Sequence, residues 1–562
     1  MKKKLLSMLL CGSLVAALTG CGATASAPSA QSSAPAETAA PAQSAAPVES
    51  AAPAESHAES AMEEPEISVS YPLTDSGYTF TCWTTYGPGM EDYLSQIGTF
   101  PVFQKAQEVT GVGIDFIPCD QSTQPEKLNL YVASGSMPDV MLSMASLYST
   151  GGEGLINDEV AYDLNEFMDL MPNYARYIDE LDDKTRSNLY TDSGYLPAVL
   201  TLGAQENVGL NIRQDWLDAL GLEIPETYEE LENVLLAFKD KYGCRNALYM
   251  LQDYGYTNNA LASGYDTQVS AAMNGLHFYQ VDGQVMSGDF NDGAKEYLQM
   301  LAKWYQEGIF SDDCITLKNV NDNADLIYKD DCGVWISEAE FLTDTYKANA
   351  QDPNFQAAPM ADVGKEPGQM LHLYGVGRRL EGQSGWSVTT SCTEPELVCQ
   401  YIDWFFSKEG RLAANWGTEG VTYELDDQGN PHYTDLILHS TEYPTAKIAL
   451  TMYTGTPVPC GTSLEASDAL LDPVIPEAGE VYRSNQDGAY VCEFTMTGEE
   501  MMEFFSISAD ILTKKAEVVA QIVMGEAEIS AMDDLKTYAQ SVGLDRAIEL
   551  VQTAYDRTNS RD

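Results

Sequence analysis

The pattern of apolar and polar positions alternates between strand-like and helix-like segments from residue 78 onward. Strands are predicted at residues 78–83, 112–116 and 140–142, and helices at residues 102–109 and 125–133. Gly111 and Gly135 are the predicted C-terminal stops of the two helices, because glycine adopts the left-handed conformation that ends a helix. This β-α-β-α-β order predicts a largely parallel sheet with helices on both faces.

Helical periodicity returns further along the chain. Thr227 and Glu230 have the spacing of a capping box, in front of an apolar stripe that runs to Phe238. Pro395 is predicted to open another helix and Gly410 to end it. Residues 516–555 are predicted to form two or three closing helices. No fixed-period repeat accompanies these segments, so the chain is predicted to be α/β rather than a solenoid.

The N-terminus has the order of parts found in an export signal. Lys2–Lys4 precede an apolar stretch, Leu5–Leu18, which is too short to span a bilayer. Leu18-Thr19-Gly20-Cys21 then resembles the bacterial lipobox, in which the cysteine receives a lipid and becomes the mature N-terminus. Residues 1–20 are therefore predicted to be a signal peptide, and Cys21 the lipidation site.

Residues 21–66 are predicted to be a lipidated cysteine followed by a disordered tether. The stretch after Cys21 consists mostly of Ala, Ser, Pro and Glu and contains no aromatic residue. Such a composition buries too little apolar surface to offset the entropy of ordering. Folded sequence is expected from residue 67 onward, and its length of almost 500 residues suits two domains.

The chain is strongly acidic. Its 562 residues include 30 Lys and Arg against 85 Asp and Glu, which gives a formal net charge of −55. Residues 1–66 hold only three Lys and seven Glu, so nearly all of the excess lies on the folded part. A surface of this sign repels phosphates and anionic lipids, and we expect no nucleic-acid partner.

The motifs of several enzyme classes are missing from the sequence. There is no Walker A loop, because Glu366 follows Gly364-Lys365, and neither H-E-x-x-H nor G-x-S-x-G occurs. The eleven cysteines include no C-x-x-C, and none has zinc-ligand spacing with the five histidines. We expect no metal and no cofactor, although abundant carboxylates leave a glycosidase pair open.

Four segments together resemble one family, the extracellular solute-binding proteins of family 1, and in particular their LplA-like oligosaccharide-binding lipoproteins. NIRQDWLDALGLEIPETYEELENVLLAFKD (Asn211–Asp240) is the most specific of the four. The others are EKLNLYVASGSMPDVM (Glu126–Met141), the block Ser387–Gly420, and TYAQSVGLDRAIELVQTAYDR (Thr537–Arg557). These matches extend over most of residues 78–557.

The resemblance implies a two-lobed, periplasmic-binding-protein-like fold of type II, in which each lobe is a mainly parallel sheet flanked by helices. Lobe 1 is expected at 67–200, lobe 2 at 201–350, a return to lobe 1 with the hinge at 351–450, and a C-terminal helical segment at 451–562. The implied function is that of a non-enzymatic substrate-binding lipoprotein of an ABC importer. It would be a monomer on the extracytoplasmic face of the membrane, held by lipid alone, and would deliver a sugar or oligosaccharide to permease subunits.

One departure from the family concerns calcium. Some relatives carry an EF-hand-like calcium loop just after the helix that ends Ala-Phe-Lys. Here that place reads DKYGCRNALYM (Asp240–Met250), which lacks the row of oxygen ligands such a loop needs. We therefore expect no calcium at this position.

Sugars are bound by aromatic platforms together with carboxylates and amides at hydrogen-bonding distance. The candidates are aromatic and acidic residues at predicted strand ends and turns, where an α/β lobe meets its cleft. They are Trp83, Tyr86, Asp139, Trp335, Glu338, Trp386, Trp416 and Glu419. Arg213 and Asp215 are expected to form a structural pair, and Trp216 to lie in the core.

Two other functions stay open from the sequence. A surface-anchored glycoside hydrolase would use the same tether and the same aromatic residues, with two of the many carboxylates as its catalytic pair. A glycan-binding adhesin, or a binding partner of a sensor, would bind sugar without delivering it. Released reducing ends would favour the hydrolase.

Overall fold

The computed structural model describes residues 69–86, 97–203, 207–249, 260–270, 275–312, 323–374, 378, 380, 385–441, 446–455 and 457–560. The predicted signal peptide, Cys21 and the tether lie outside the described residues and stay predictions. The chain from Ile67 onward forms one unit.

Twelve strands are found in the described part of the chain. They are β1 (Thr79–Tyr86), β2 (Gly113–Asp120), β3 (Val140–Leu142), β4 (Val208–Arg213), β5 (Asn246–Tyr249), β6 (Phe278–Val281), β7 (Gln284–Ser287), β8 (Cys332–Glu338), β9 (Ala357–Met360), β10 (Trp386–Val388), β11 (Tyr423–Leu425) and β12 (Pro431–Tyr433).

The α-helices of the same part are α1 (Pro101–Thr110), α2 (Gln124–Ser134), α3 (Met144–Leu147), α4 (Gly151–Asn157), α5 (Pro172–Glu180), α6 (Asp183–Ser187), α7 (Gln214–Leu220), α8 (Tyr228–Tyr242), α9 (Asp292–Gln306), α10 (Asn323–Tyr328), α11 (Asp344–Lys347), α12 (Pro395–Trp404), α13 (Lys408–Asn415), α14 (Asp435–Leu438), α15 (Ala446–Thr454), α16 (Leu464–Asp468), α17 (Val474–Arg483), α18 (Gly498–Val523), α19 (Ala531–Val542) and α20 (Leu544–Asn559). None of these helices is long and apolar enough to cross a bilayer.

Lobe 1 is built on a four-stranded sheet with the order β10-β3-β1-β2. Strand β1 pairs in parallel with β2 and β3, as the sequence predicts, and β10 adds an antiparallel edge. Both faces of the sheet are covered, because Phe80 and Val140 belong to one buried cluster and Trp83 and Met141 to another. Residues 386–414 return to this core from a distant part of the chain.

Lobe 2 is built on a second sheet with the order β5-β8-β4-β9. Only β5 and β8 are parallel there; β4 runs antiparallel to both β8 and β9. This mixed pairing departs from the expectation of a mainly parallel sheet in each lobe. Its core also takes in Ile511, Val519 and Leu535 from the C-terminal helices, so those helices belong to lobe 2.

Local sequence signals place several element ends correctly. Gly111 and Gly135 end α1 and α2 in the left-handed conformation, and Thr227 caps α8 through the predicted capping box. The prediction that Gly410 ends the helix opened by Pro395 is wrong. That helix stops at Trp404, and Gly410 lies inside α13, where an added Cβ would meet the Trp404 carbonyl oxygen at 2.0 Å.

The predicted pair at the start of α7 is confirmed. Arg213 and Asp215 are joined by two hydrogen bonds, of 2.9 and 2.7 Å, and Arg213 Nη1 lies 2.6 Å from Asp330. The Arg213 guanidinium also stacks on the buried Trp216, 4.2 Å from the ring centroid. These residues fix α7 against the lobe 2 sheet.

In the part of the chain that the structure describes, three segments link the lobes. Connection 1 (residues 200–203 and 207) precedes β4, connection 2 (364–374, 378, 380 and 385) precedes β10, and connection 3 (455 and 457–473) precedes α17 on lobe 2. Connections 1 and 3 approach closely, since a Cβ added at Gly461 would lie 2.5 Å from Thr201 Oγ1. Connecting segments that run side by side between two lobes can act as their hinge.

Candidate functional site

Strand register identifies the end of each sheet that lies at the junction between the lobes. Connection 1 delivers the chain to Val208, the first residue of β4, which pairs with Glu338, the last residue of β8. Connection 2 delivers it to Trp386, the first residue of β10, which pairs with Leu142, the last of β3. Both ends therefore border the interlobe junction, where α/β proteins generally bind ligands.

Two predicted residues lie at these ends. Tyr86 is the last residue of β1 and pairs with Asp120, the last residue of β2. Glu338 ends β8 on the lobe 2 side, and its side chain is exposed. An exposed carboxylate at this position can accept hydrogen bonds from sugar hydroxyls. Tyr86 and Glu338 thus end their strands, and their contact with a ligand stays a prediction.

The four predicted tryptophans pack as core residues. Trp83 lies under α2, with its ring 5.9 Å from that of Tyr131. Trp335 and Trp386 are fully buried, and Trp416 is covered by Tyr433 at a ring distance of 4.4 Å. A side chain without exposed surface cannot stack on a ligand in this conformation. Trp83, Trp335 and Trp386 are covered by packing on the faces of their sheets, whereas Trp416 packs beside the β11–β12 hairpin.

Asp139 and Glu419 lie elsewhere. Asp139 precedes β3 at the end opposite to Leu142, where its Oδ2 accepts hydrogen bonds from Thr81 N and Oγ1, both at 2.7 Å. It therefore joins β1 to β3, and its role is structural. Glu419 is exposed in the turn that leads into β11, and its contact with ligand remains a prediction.

Arg378 ties the three connections together. From connection 2 it donates hydrogen bonds to the carbonyl oxygens of Leu202 at 3.0 Å and Gly203 at 2.5 Å in connection 1. It also donates to the carbonyl oxygen of Thr462 in connection 3, at 3.0 Å. One guanidinium thus bridges the three described connections.

Two polar residues near the junction were missed by the sequence analysis. Gln124, in the first turn after β2, is buried, and its Nε2 has no hydrogen-bond partner among the described residues. Asp362, just after β9, is buried, and its side chain accepts a hydrogen bond from Gln486 Nε2 at 2.9 Å. Burial raises the pKa of Asp362 to about 8. Neither residue belongs to a motif that marks it in the sequence.

The segment that holds calcium in some relatives is too short here to form such a loop. Helix α8 ends at Tyr242 and β5 begins at Asn246, which leaves three residues between them. Arg245 in this turn pairs with Asp331. Among the described residues, no group of three or more His, Cys, Asp or Glu is arranged to hold a metal ion.

A family model describes this architecture. Residues 100–422 match the model of the bacterial extracellular solute-binding proteins, and the chain belongs to that family. This confirms the resemblance found in the sequence, and it makes the protein a binding protein rather than an enzyme.

Two relatives illustrate the range of similarity. Lipoprotein LipO of Bacillus subtilis is 26% identical over 344 residues, which cover 58% of this chain and 64% of LipO, just under two thirds of its length. The fructooligosaccharide ABC transporter substrate-binding protein FusA of Streptococcus pneumoniae is 25% identical over 500 residues, covering 81% of this chain and 86% of FusA.

Solved structures confirm the type II fold. A solute-binding protein of Bifidobacterium longum infantis, described as binding human milk oligosaccharides (HMO), aligns over 87% of this chain and all of its own, with a TM-score of 0.70 and 17% identity. FusA in complex with kestose aligns over 86% of this chain and all of its own, with a TM-score of 0.65 and 20% identity. Alginate-binding protein AlgQ2 aligns over 86% of this chain and 99% of its own, also with a TM-score of 0.65 and 20% identity.

Proposed function

We propose that this protein is the substrate-binding lipoprotein of an ABC importer, which captures a sugar or oligosaccharide between its lobes and delivers it unchanged to permease subunits. The supporting observation is the arrangement of two α/β lobes on three connections bridged by Arg378, in a chain of the solute-binding family. A ligand that contacts both lobes favours the state in which they are closed together.

The ligand class is supported by the relatives. FusA is named for fructooligosaccharides, and structural neighbours are described as binding human milk oligosaccharides, alginate and N-glycans. Tyr86 ends β1 in lobe 1 and Glu338 ends β8 in lobe 2, and a tyrosine and a carboxylate are residue types that suit a polyhydroxylated ring. These two residues form our proposed ligand-binding pair.

An uncharged oligosaccharide suits these sheet ends better than a uronate. Arg378 is engaged by three backbone carbonyl oxygens instead of facing a ligand carboxylate. Asp120 and Glu338 add negative charge at the two edges, on a chain whose net charge is −55. A uronate carboxylate would be desolvated there beside like charges, which is costly.

The proposed location rests on the lipobox-like motif that ends at Cys21. Lipidation of Cys21 would hold the protein on the extracytoplasmic face of the membrane, as a monomer on a tether. Replacing Cys21 with Ser should shift the protein from the membrane fraction to the medium without changing its fold. A variant that stays membrane-bound would contradict the lipid anchor.

Calorimetry tests the proposal directly. Neutral fructo-, manno- and milk-type oligosaccharides should include one that binds with a Kd of about 1 μM, or about −8 kcal/mol. The matched uronate oligomers should bind at least about tenfold more weakly. Reducing ends appearing in the same samples would identify a hydrolase. If the protein binds the sugar but a strain that lacks the protein still takes the sugar up normally, an adhesin or a sensor partner would be favoured instead.

A further inference from the structure

The two lobes make a direct ionic contact that lies outside the three connections. Asp192, in a turn of lobe 1, accepts a hydrogen bond from Arg557 Nε on α20 of lobe 2. Its other carboxylate oxygen accepts from Thr495 Oγ1 at 2.8 Å. Arg557 Nη2 in turn donates to Glu500 Oε2 of α18 at 2.6 Å. One arginine thus lies between a carboxylate of each lobe.

Neighbouring contacts join the same two surfaces. Glu493, before α18, accepts a hydrogen bond from Asn188 at 3.1 Å and lies 3.3 Å from Lys184 Nζ, both on lobe 1. The backbones approach closely as well, since a Cβ added at Gly498 would lie 2.8 Å from Thr150 Cβ. The contact is therefore a matched surface rather than a single chance pair.

The charges at its centre are partly withdrawn from water. The side chain of Asp192 is 7% exposed, that of Glu500 18% and that of Arg557 28%. Although burial opposes it, the hydrogen bonds from Arg557 lower the pKa of Glu500. Screening by solvent is weak at this degree of burial, so the attraction between the lobes is stronger than in an exposed pair.

We propose that Asp192, Arg557 and Glu500 form an interlobe latch, with Arg557 as the positioning residue that sets how the lobes lie relative to each other. None of these residues belongs to connections 1, 2 or 3. A rotation of the lobes that moves α20 away from lobe 1 would separate Asp192 from Arg557. Solute capture and release then depend on how readily this latch opens.

The same two helices provide a matched control. Arg546 on α20 pairs with Glu503 on α18, with Nε and Nη2 at 2.9 and 3.0 Å from its carboxylate, entirely within lobe 2. Replacing Arg546 with Met removes an ion pair of the same type from the same helices. It leaves every contact between the lobes in place.

Hydrogen exchange and solution scattering on the mature protein, without added sugar, test the latch. R557M should increase the radius of gyration and speed amide exchange at least about fivefold at both residues 184–193 and 493–501. R546M should leave the radius and the exchange of residues 184–193 unchanged. Equal effects of R557M and R546M would overturn the proposal, because Arg557 would then only hold α20 to α18.

Charge reversal gives a second, independent measurement. R557E places three carboxylates together and should separate the lobes further than R557M does. D192R in the R557E background restores an arginine between two carboxylates, and it should return the radius of gyration to that of the parent. A double variant that is as expanded as R557E would overturn the proposal. Because no sugar is present, these results are independent of the proposed ligand.

Discussion

The guanidinium of Arg378 donates a hydrogen bond to the carbonyl oxygen of Gly203 at 2.5 Å, although the two residues belong to different crossings between the lobes. The same side chain reaches Thr462 in the third crossing. From this position we expect the geometry of the hinge to depend on Arg378.

The first prediction is that R378M loosens the hinge. A hydrogen bond to a charged group contributes about 1.5–3 kcal/mol, and about 1.4 kcal/mol corresponds to a tenfold change in Kd. We expect sugar affinity to fall about tenfold or more, measured by calorimetry with the best oligosaccharide of the panel. R176M is the control, because Arg176 makes an i,i+4 pair with Glu180 on the surface of lobe 1. Unchanged affinity in R378M would contradict this role.

The second prediction concerns pH. Burial raises the pKa of Asp362 to about 8, so between pH 4 and 8 the folded protein holds a proton that the unfolded chain releases. Stability is therefore lost as the pH rises through this window. D362N removes the titrating carboxyl group and keeps an oxygen that accepts from Gln486. The melting temperature of D362N minus that of the parent should therefore increase from pH 4 to pH 8.

The control for this prediction is D427N, which replaces an exposed aspartate in the turn between β11 and β12. Its melting temperature should follow that of the parent at every pH. If the D362N and parent curves ran parallel from pH 4 to pH 8, Asp362 would not titrate in that window.

The local elements were predictable because their signals are local. The strand at residues 140–142, the stop at Gly111 and the capping box at Thr227 each depend on a few neighbouring residues. The antiparallel direction of β4 was not predictable, since it depends on how connection 1 enters lobe 2. Gly410 was misassigned because the helix opened by Pro395 already ends at Trp404, and Gly410 lies in the first turn of the next helix, α13.

The candidate site was harder to predict than the fold. Alternation along a strand tells which residues share a face, but both faces of the lobe 1 sheet are covered. Trp83 and Trp386 are therefore buried whichever way they point, and only positions at the very ends of strands reach the junction. Tyr86 and Glu338 end their strands, so they remain the candidates, and the bridging role of Arg378 is recognised only when all three connections are placed.

The third prediction separates the core tryptophans from the ligand. W335A removes a fully buried ring packed against Phe355, with its Nε1 bonded to Ser337 Oγ at 3.1 Å. We expect a loss of about 3–5 kcal/mol in the free energy of unfolding, measured with denaturant. W335F should lose less, because it retains most of the apolar volume. A W335A protein of full stability and weakened sugar binding would return Trp335 to the ligand site.

The fourth prediction is that a change at Glu338 weakens sugar binding and leaves stability unchanged. E338Q replaces the exposed carboxylate at the end of β8, and it should weaken sugar binding by about 1 kcal/mol or more, as for a charge-assisted hydrogen bond. The melting temperature should not change, because the side chain is not packed. E528Q, in the exposed turn between α18 and α19, is the matched control. Identical affinities of E338Q and the parent would exclude Glu338 from the site.

The last prediction concerns the buried ion pair of lobe 2. Lys515 Nζ on α18 lies 2.9 Å from Asp289, both side chains are fully buried, and Asp289 also accepts a hydrogen bond from the His277 backbone at 2.7 Å. Although burial opposes it, Lys515 and His277 hold the pKa of Asp289 well below its usual range. K515M leaves a buried charge without its cation, so unfolding should require about 3–5 kcal/mol less, measured with denaturant. The neighbouring K514M removes only an exposed pair with Glu517, and it should cost less than about 1 kcal/mol. If K515M and K514M lost the same free energy of unfolding, the buried pair of Lys515 and Asp289 would stabilise the fold no more than an exposed pair does.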